Sequence, residues 1–308
     1  MRLGIDIGGT KTAAVAIGAD GELTDQVRMP TGFGAEAVVA TALRTVERMT
    51  ELAGVGVASF MSIGIGIPGA VDSDTGRVAH AVNLGLEGLD LGSRLSDTLG
   101  VAVRVENDVK AAAVGAHHLL GVADGIRAHS MAYLNLGTGL AAGIVLDGRL
   151  LRGGHGVAGE IGHLPVDPGG VVCGCGQRGC LETFASGSAI ARMWPTAHAL
   201  PARALFDAAD AGDKRAIEVR ERFLTGVAAA VRLLVLTTDV DDVVIGGGLS
   251  ALGGPLLAGT RRILGEWAPD SAFLASLDLA ARVQVIPFGF PAAAVGAALV
   301  GEHQWLKS

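Results

Sequence analysis

Leu3-Gly4-Ile5-Asp6-Ile7-Gly8-Gly9-Thr10-Lys11-Thr12-Ala13-Ala14-Val15-Ala16-Ile17 decides the fold of this chain. Leu3 to Ile7 reads as a strand, Gly8-Gly9 as a turn and Thr12 to Ile17 as a second strand. Asp20-Gly21 is the next turn, with a third strand beginning at Glu22. The plan of this antiparallel meander recurs in the second half of the chain. Met131 to Leu136, Leu140 to Leu146 and Arg149 to Leu151 read as strands, separated by Gly137-Thr138-Gly139 and Asp147-Gly148. A repeated three-strand unit predicts a duplicated domain. Between the copies, Glu36 to Ala53 reads as an amphipathic helix with Val39, Leu43, Val46 and Met49 on one face. Ser62 to Ile67 follows as a buried strand, and Val101 to Val105 as a short strand leading into a helix from Asp108. A Gly- and Cys-rich loop (Gly153 to Gly179), a mostly helical stretch (Ser186 to Asp239), a strand (Val243 to Ile245) and a last helix (Pro291 to Val300) complete the chain. Strands alternating with helices make it α/β.

At roughly 150 residues per domain, 308 residues predict two domains, and 50% hydrophobic with 18% charged residues excludes disorder. A mean hydropathy of +0.46 raises the question of a membrane. The long uncharged runs Leu52 to Val71 and Val283 to Gly301, however, contain Pro68, Pro287 and Pro291 and read as buried strand, loop and helix pieces. Met1-Arg2 runs straight into the first strand without a signal peptide, so a cytoplasmic location is expected. A net charge of -7 excludes a dedicated nucleic-acid surface and leaves small-molecule chemistry.

Two G-x-G-x-x-G matches, Gly64 to Gly69 and Gly174 to Gly179, lack the context of a dinucleotide site. The first is followed by turn residues where an apolar helix is required, and the second lies among cysteines. Asp6 to Lys11 instead forms a tight strand-to-strand turn whose backbone N–H groups can approach a polyphosphate, with Asp6 placed to hold Mg2+ or its waters. One such turn alone equally suits an ordinary hairpin. With Gly137-Thr138-Gly139 as its counterpart, two turns can grip one phosphate chain across a cleft. Gly246-Gly247-Gly248 suits packing against a nucleoside, or a plain strand-to-helix loop. Glu106-Asn107-Asp108 sits where a strand ends and a helix begins. Asp108 is there either an N-cap or a base that takes the proton of an attacking hydroxyl, with Asn107 orienting a neighbouring one. All three cysteines, Cys173, Cys175 and Cys180, follow His163 closely. Three thiolates and one imidazole make a closed tetrahedral zinc set, structural rather than hydrolytic. Glu160 and Glu182 flank it, either aimed at a polyhydroxylated ligand or simply exposed.

In these motifs, Asp6-Ile-Gly-Gly-Thr-Lys11, Glu106-Asn-Asp108, Leu136-Gly-Thr-Gly139, Gly159-Glu-Ile-Gly-His163, Cys173-Gly-Cys-Gly-Gln-Arg-Gly-Cys180 with Glu182, and Ile245-Gly-Gly-Gly248, the chain resembles the ROK family of repressors and sugar kinases, on the bacterial glucokinase side. The resemblance implies an actin-like (ribonuclease H-like) duplicated two-domain ATPase/sugar kinase fold with an interdomain cleft. The smaller domain would be 1–108 plus 290–308, and the larger 109–289 with the zinc loop. It implies ATP-dependent phosphorylation of a hexose 6-hydroxyl, glucose first, in glycolytic carbohydrate metabolism, by a homodimer or homotetramer. Asp108 would be the base. Asn83, Asn107, Asp108, Glu160, His163 and Glu182 would contact sugar. Asp6, Gly8, Gly9, Thr10, Lys11, Thr138 and Gly139 would serve phosphate and Mg2+, with Gly246, Gly247 and Gly248 on the adenosine side. His163, Cys173, Cys175 and Cys180 would hold zinc. Val109-Lys110 and Ala141-Ala142 depart from the family's small, amide or glycine residues. The first phosphate strand begins at residue 3, without room for the repressors' DNA-binding module, which favours the kinase branch. An N-acetylhexosamine (N-acetylglucosamine or N-acetylmannosamine) or fructose kinase, or a polyphosphate-using kinase, would share the motifs. A non-catalytic sugar sensor would not need Asp6 and Asp108.

Overall fold

Strands β1 (Arg2–Ile7), β2 (Lys11–Ile17) and β3 (Val27–Pro30) form the first meander in the computed structural model, which describes residues 1–24, 26–124 and 130–301. β3 starts later than expected. The segment from Gly18 to Thr24 is tied down locally instead: Asp20 Oδ1 accepts from Glu22 N at 3.1 Å and Thr24 Oγ1 from Ala16 N at 2.8 Å, so its backbone makes only an isolated bridge, Ile17 to Leu23. Helix α1 (Ala35–Ala53) then leads to β4 (Ser62–Ile67), and a small antiparallel sheet follows, β5 (Ala70–Asp72), β6 (Arg77–Ala81) and β7 (Leu86–Asp90). The sequence shows only its first turn, which Asp72 Oδ1 closes by accepting from Asp74 N and Thr75 N. Helix α2 (Leu91–Leu99), β8 (Val103–Asn107) and α3 (Asp108–Asp124) complete the first half.

The second half contains β9 (Met131–Leu136), β10 (Leu140–Leu146) and β11 (Arg149–Leu150), then α4 (Gly187–Met193), α5 (Pro201–Asp210), α6 (Lys214–Thr238) and β12 (Asp242–Gly246). It closes with α7 (Gly254–Trp267), α8 (Ala272–Ser276), β13 (Val283–Val285) and α9 (Ala292–Val300). The two large sheets repeat one plan. Their strand orders are β3-β2-β1-β4-β8 and β11-β10-β9-β12-β13, a meander whose first strand is extended by two parallel strands. The duplication read from three strands thus extends to five.

The chain divides into two units. Unit 1 holds the described residues of Met1–His129, Gly143–Ala158 and Pro291–Ser308, and unit 2 holds Ser130–Ala142 and Gly159–Phe290. Residues 109–124 and 143–158, expected in the larger domain, cluster with unit 1, and residues 125–129 and 302–308 lie outside the described residues. The physical reason is that α9 packs on α3, and α3 in turn on Gly143, where a Cβ would lie 2.7 Å from Val109 O. Gly296 approaches α3 so closely that a Cβ there would lie 1.6 Å from Ala111 O, and one on Gly115 would lie 2.1 Å from Ala292 O. On its other side α9 presses on the sheet, where a Cβ on Gly4 or Gly64 would meet Ala294 O or Ala297 O within 2 Å. Gly64, one of the apparent dinucleotide glycines, is there for helix-on-sheet packing. Leu3, Ile5, Ile7, Ile63, Ile65 and Ile67 point to the other face of the sheet and form the core of unit 1 with Val39, Val46 and Met49 of α1 and Leu91 and Leu95 of α2. No helix among the described residues is long and apolar enough to cross a membrane.

Candidate active site

In unit 1 the parallel strands β1, β4 and β8 end at one sheet edge, so residues distant in sequence meet there. Asp6 lies near the end of β1, before the Gly8-Gly9 turn that Gly8 N closes on Lys11 O at 2.9 Å. Thr10 and Lys11 are exposed at its tip. Burial, and then the charge of Asp108, push the Asp6 carboxyl up to about 7.

Asn107 and Asp108 follow β8. Asn107, not Asp108, caps helix α3. Its Oδ1 accepts from Val109 N (3.0 Å) and Lys110 N (3.2 Å), while its Nδ2 donates to Gly69 O (3.2 Å). The Asp108 carboxylate stands in the first turn, where the helix dipole favours an anion, and accepts from Val109 N at 2.9 Å. Glu106 is buried below. Its Oε1 accepts from Asn107 N (3.0 Å) and its Oε2 from Arg152 Nε (2.8 Å). Lys110, the departure noted in the sequence, points away to Gly156 O at 2.8 Å. Asn83 sits against the first glycine turn, 3.3 Å from where a Gly9 Cβ would lie. Glu106 and Gly69 stood inside motifs in the sequence and Arg152 in none, but the roles of all three depend on partners far along the chain.

In unit 2 the Gly137-Thr138-Gly139 turn is closed by Gly137 N on Gly139 O (3.1 Å), and α4 begins on it through Gly187 N to Gly137 O (2.8 Å) and Ser188 N to Thr138 O (3.1 Å). A Cβ on Gly139 would lie 2.9 Å from Glu182 Oε2, so this predicted sugar contact adjoins the second glycine turn. The Gly159-to-His163 segment lies flat on β10: Gly159 at φ +93° and Gly162 would clash with Ala142 O and Leu140 O if they carried a Cβ. Glu160 is exposed at its start. An apolar cavity of about 390 Å³ lined by Gly187, Leu200, Pro201, Gly248, Leu249 and Leu252 adjoins the third glycine turn. Leu200 and Pro201 were not singled out from sequence, since an apolar helix start reads as ordinary core.

The ligand atoms of His163, Cys173, Cys175 and Cys180 all lie within 4.8 Å of one another. Cys175 Sγ and Cys180 Sγ are 3.6 Å apart, and Cys173 Sγ and His163 Nδ1 are 3.8 Å apart. A tetrahedral site with metal–sulfur bonds near 2.3 Å has an S···S edge of about 3.8 Å, so the four groups are spaced to hold a metal ion. Hydrogen bonds from Gln177 draw the exposed Cys175 thiol down to about 6, whereas burial, with Glu182 beside it, pushes Cys173 up to about 12. Glu182 Oε1 lies 2.9 Å from Cys173 Sγ and 3.6 Å from His163 Nδ1, which ties this carboxylate to the cluster.

Two five-stranded sheets of one strand order, each with a glycine turn after its first strand, define the actin-like ATPase/sugar kinase class. The chain belongs to the ROK family, whose model matches residues 2–300. It is 35% identical over 274 residues to a glucokinase of Halalkalibacterium halodurans, covering 83% of this chain and 82% of that one. It is 34% identical over 270 residues to an N-acetylmannosamine kinase of Citrobacter koseri, covering 86% and 88%. Among solved structures it is similar to a ROK family glucokinase from Streptomyces griseus in complex with glucose and AMPPNP, with a TM-score of 0.79, 29% identity and coverage of 97% and 98%.

Proposed function

We propose that this protein is an ATP-dependent hexose kinase that phosphorylates the 6-hydroxyl of glucose. The observation that carries the reading is the carboxylate pair of unit 1: Asp108 in the first turn of α3, whose N-cap is Asn107, and Asp6 close enough to feel its charge. Asp108 accepts the proton of the attacking hydroxyl, and Asn107, held on Gly69 O, orients a neighbouring hydroxyl. Asn83, Glu160, His163 and Glu182 are the further sugar contacts.

Two neighbouring carboxylates, one raised to about 7, form a site whose repulsion a divalent cation relieves, and this donor set suits Mg2+. Bound there, Mg2+ would neutralise charge on the transferring phosphoryl group. Gly9 to Lys11, in the turn that Gly8 N closes, and Thr138-Gly139 offer backbone N–H groups to the phosphates. Gly187 both lines the apolar cavity and donates to the second phosphate turn, an arrangement that suits a nucleotide donor rather than bare polyphosphate. Zinc on His163, Cys173, Cys175 and Cys180 supplies no chemistry to the reaction but fixes the segment that carries Glu160 and Glu182. The same reading includes a cytoplasmic homodimer or homotetramer.

The test is ADP release from Mg-ATP with glucose, mannose, fructose, N-acetylglucosamine and N-acetylmannosamine, beside Asp108→Asn. The expected result is turnover favouring glucose, with kcat falling about 10²- to 10⁴-fold in the variant while calorimetric glucose binding persists. A preference for N-acetylmannosamine would move the protein to the kinase class of its C. koseri relative, and near-normal kcat in the variant would remove Asp108 as the base.

A further inference from the structure

We infer that Tyr133, the only tyrosine in the chain, is a positioning residue for the nucleotide. This rests on the proposed kinase function and assigns a residue to it that the glycine motifs do not contain. Tyr133 lies on β9 opposite Val244 of β12, and its buried ring crosses diagonally beneath Gly246. A Cβ on Gly246 would lie 2.0 Å from the phenol oxygen, so the missing side chain is what lets the ring reach past the end of the strand. There Tyr133 Oη accepts a hydrogen bond from Gly247 N at 3.1 Å.

Gly247 has φ +78°, a left-handed conformation, and its own Cβ position would lie 2.6 Å from both Asn135 Oδ1 and Leu136 O. The turn is pinned on its other side by Ser250, whose N and Oγ both donate to Gly247 O, at 3.1 and 2.8 Å. Gly247 is thus held from below by the phenol and from ahead by the serine, and the next two residues, Gly248 and Leu249, form a wall of the apolar cavity. The phenol oxygen therefore sets where that wall stands. Removing it leaves the ring packing but releases the amide that orients the turn.

Tyr133→Phe tests this. Loss of one such hydrogen bond is expected to raise KM for Mg-ATP about fivefold, with KM for glucose unchanged within about twofold and a melting temperature close to that of the parent. A tie that served stability alone would lower the melting temperature and leave KM for Mg-ATP where it was, and that result overturns the inference. The single tyrosine provides an independent readout. With 3-fluorotyrosine incorporated, the one ¹⁹F resonance is expected to move on addition of Mg-AMPPNP and to stay in place with glucose or polyphosphate. If the enzyme turns over Mg-ATP but this resonance ignores saturating Mg-AMPPNP, Tyr133 does not sense the nucleotide and the inference falls alone. If the unaltered chain neither turns over Mg-ATP nor shifts its resonance, the nucleotide reading falls with it.

Discussion

Replacing Asp6 with asparagine is expected to stabilise the protein while disabling it. Asp6 carries a carboxyl raised from 3.8 to about 7, chiefly by burial and then by Asp108. The folded state therefore binds this proton more tightly than the unfolded chain. Its contribution is neutral below about pH 4, becomes progressively unfavourable as pH rises, and is fully unfavourable above pH 7. At 1.36 kcal/mol per pH unit the rise corresponds to about 4 kcal/mol. Part of the Asp6 surface still meets solvent although burial is the main cause of the shift, and with effective screening of that kind a working value of about 2 kcal/mol is appropriate. Asp6→Asn keeps the shape and removes the charge. At pH 8.5 it should melt several degrees above the parent, and at pH 4 the two should coincide. Adding Mg2+ at pH 8.5 should raise the parent's melting temperature more than the variant's, and the variant's kinase activity should collapse. Melting curves across this pH range decide the matter. A stability difference independent of pH would show that Asp6 does not carry the strained charge, and a cost unaltered in an Asp108→Asn background would show that Asp108 is not its neighbour in effect.

Two further outcomes follow from the metal cluster and the helix packing. Cys175→Ser removes the exposed member of the four-ligand set, so zinc per chain measured by atomic absorption should drop well below one and KM for glucose should rise about tenfold; full zinc content would contradict the ligand assignment. Gly296→Ala drives a methyl group onto Ala111 O and should cost at least the about 1–3 kcal/mol typical of overpacking. Gly265→Ala, on α7 with open space around it, should be neutral or slightly stabilising, and urea titrations of the two variants beside the parent check both outcomes.

What the sequence made legible was local chemistry with a fixed spacing. Ser62 to Ile67, Met131 to Leu136 and Leu140 to Leu146 are strands with the bounds their apolar runs give. The cysteine spacing brought four ligand atoms together because the loop that carries them is short and turns on its own glycines. What stayed hidden depended on partners far along the chain. Gly4 and Gly64 lie inside predicted strands and Gly115 and Gly296 inside predicted helices, where nothing local asks for glycine; each is glycine because α9 packs so closely on β1, β4 and α3. Arg152 looks like a surface charge until Glu106 is seen buried beneath it. The capping role moved from Asp108 to Asn107, since both suit an N-cap and only the path of the chain after β8 chooses between them.

The duplication also explains how one architecture divides two tasks. In the first sheet Asp6 pairs in register with Gly66, and in the second Asn135 pairs in register with Gly246. These are equivalent places, one residue before the end of the first strand and two before the glycine of the turn. Unit 1 puts a carboxylate there, with Asp108 close by, and so builds a site that wants a cation and a proton. Unit 2 puts the uncharged isostere there, its Oδ1 against the Gly247 backbone, and so leaves its glycine turn without a fixed negative charge at that place. A polyphosphate is repelled by an acid that lacks a bound cation and tolerated by an amide. Under the proposed kinase function, this one-atom difference at matched register gives metal and proton handling to the first copy. It leaves the second free to take the nucleotide through backbone N–H groups and an apolar wall.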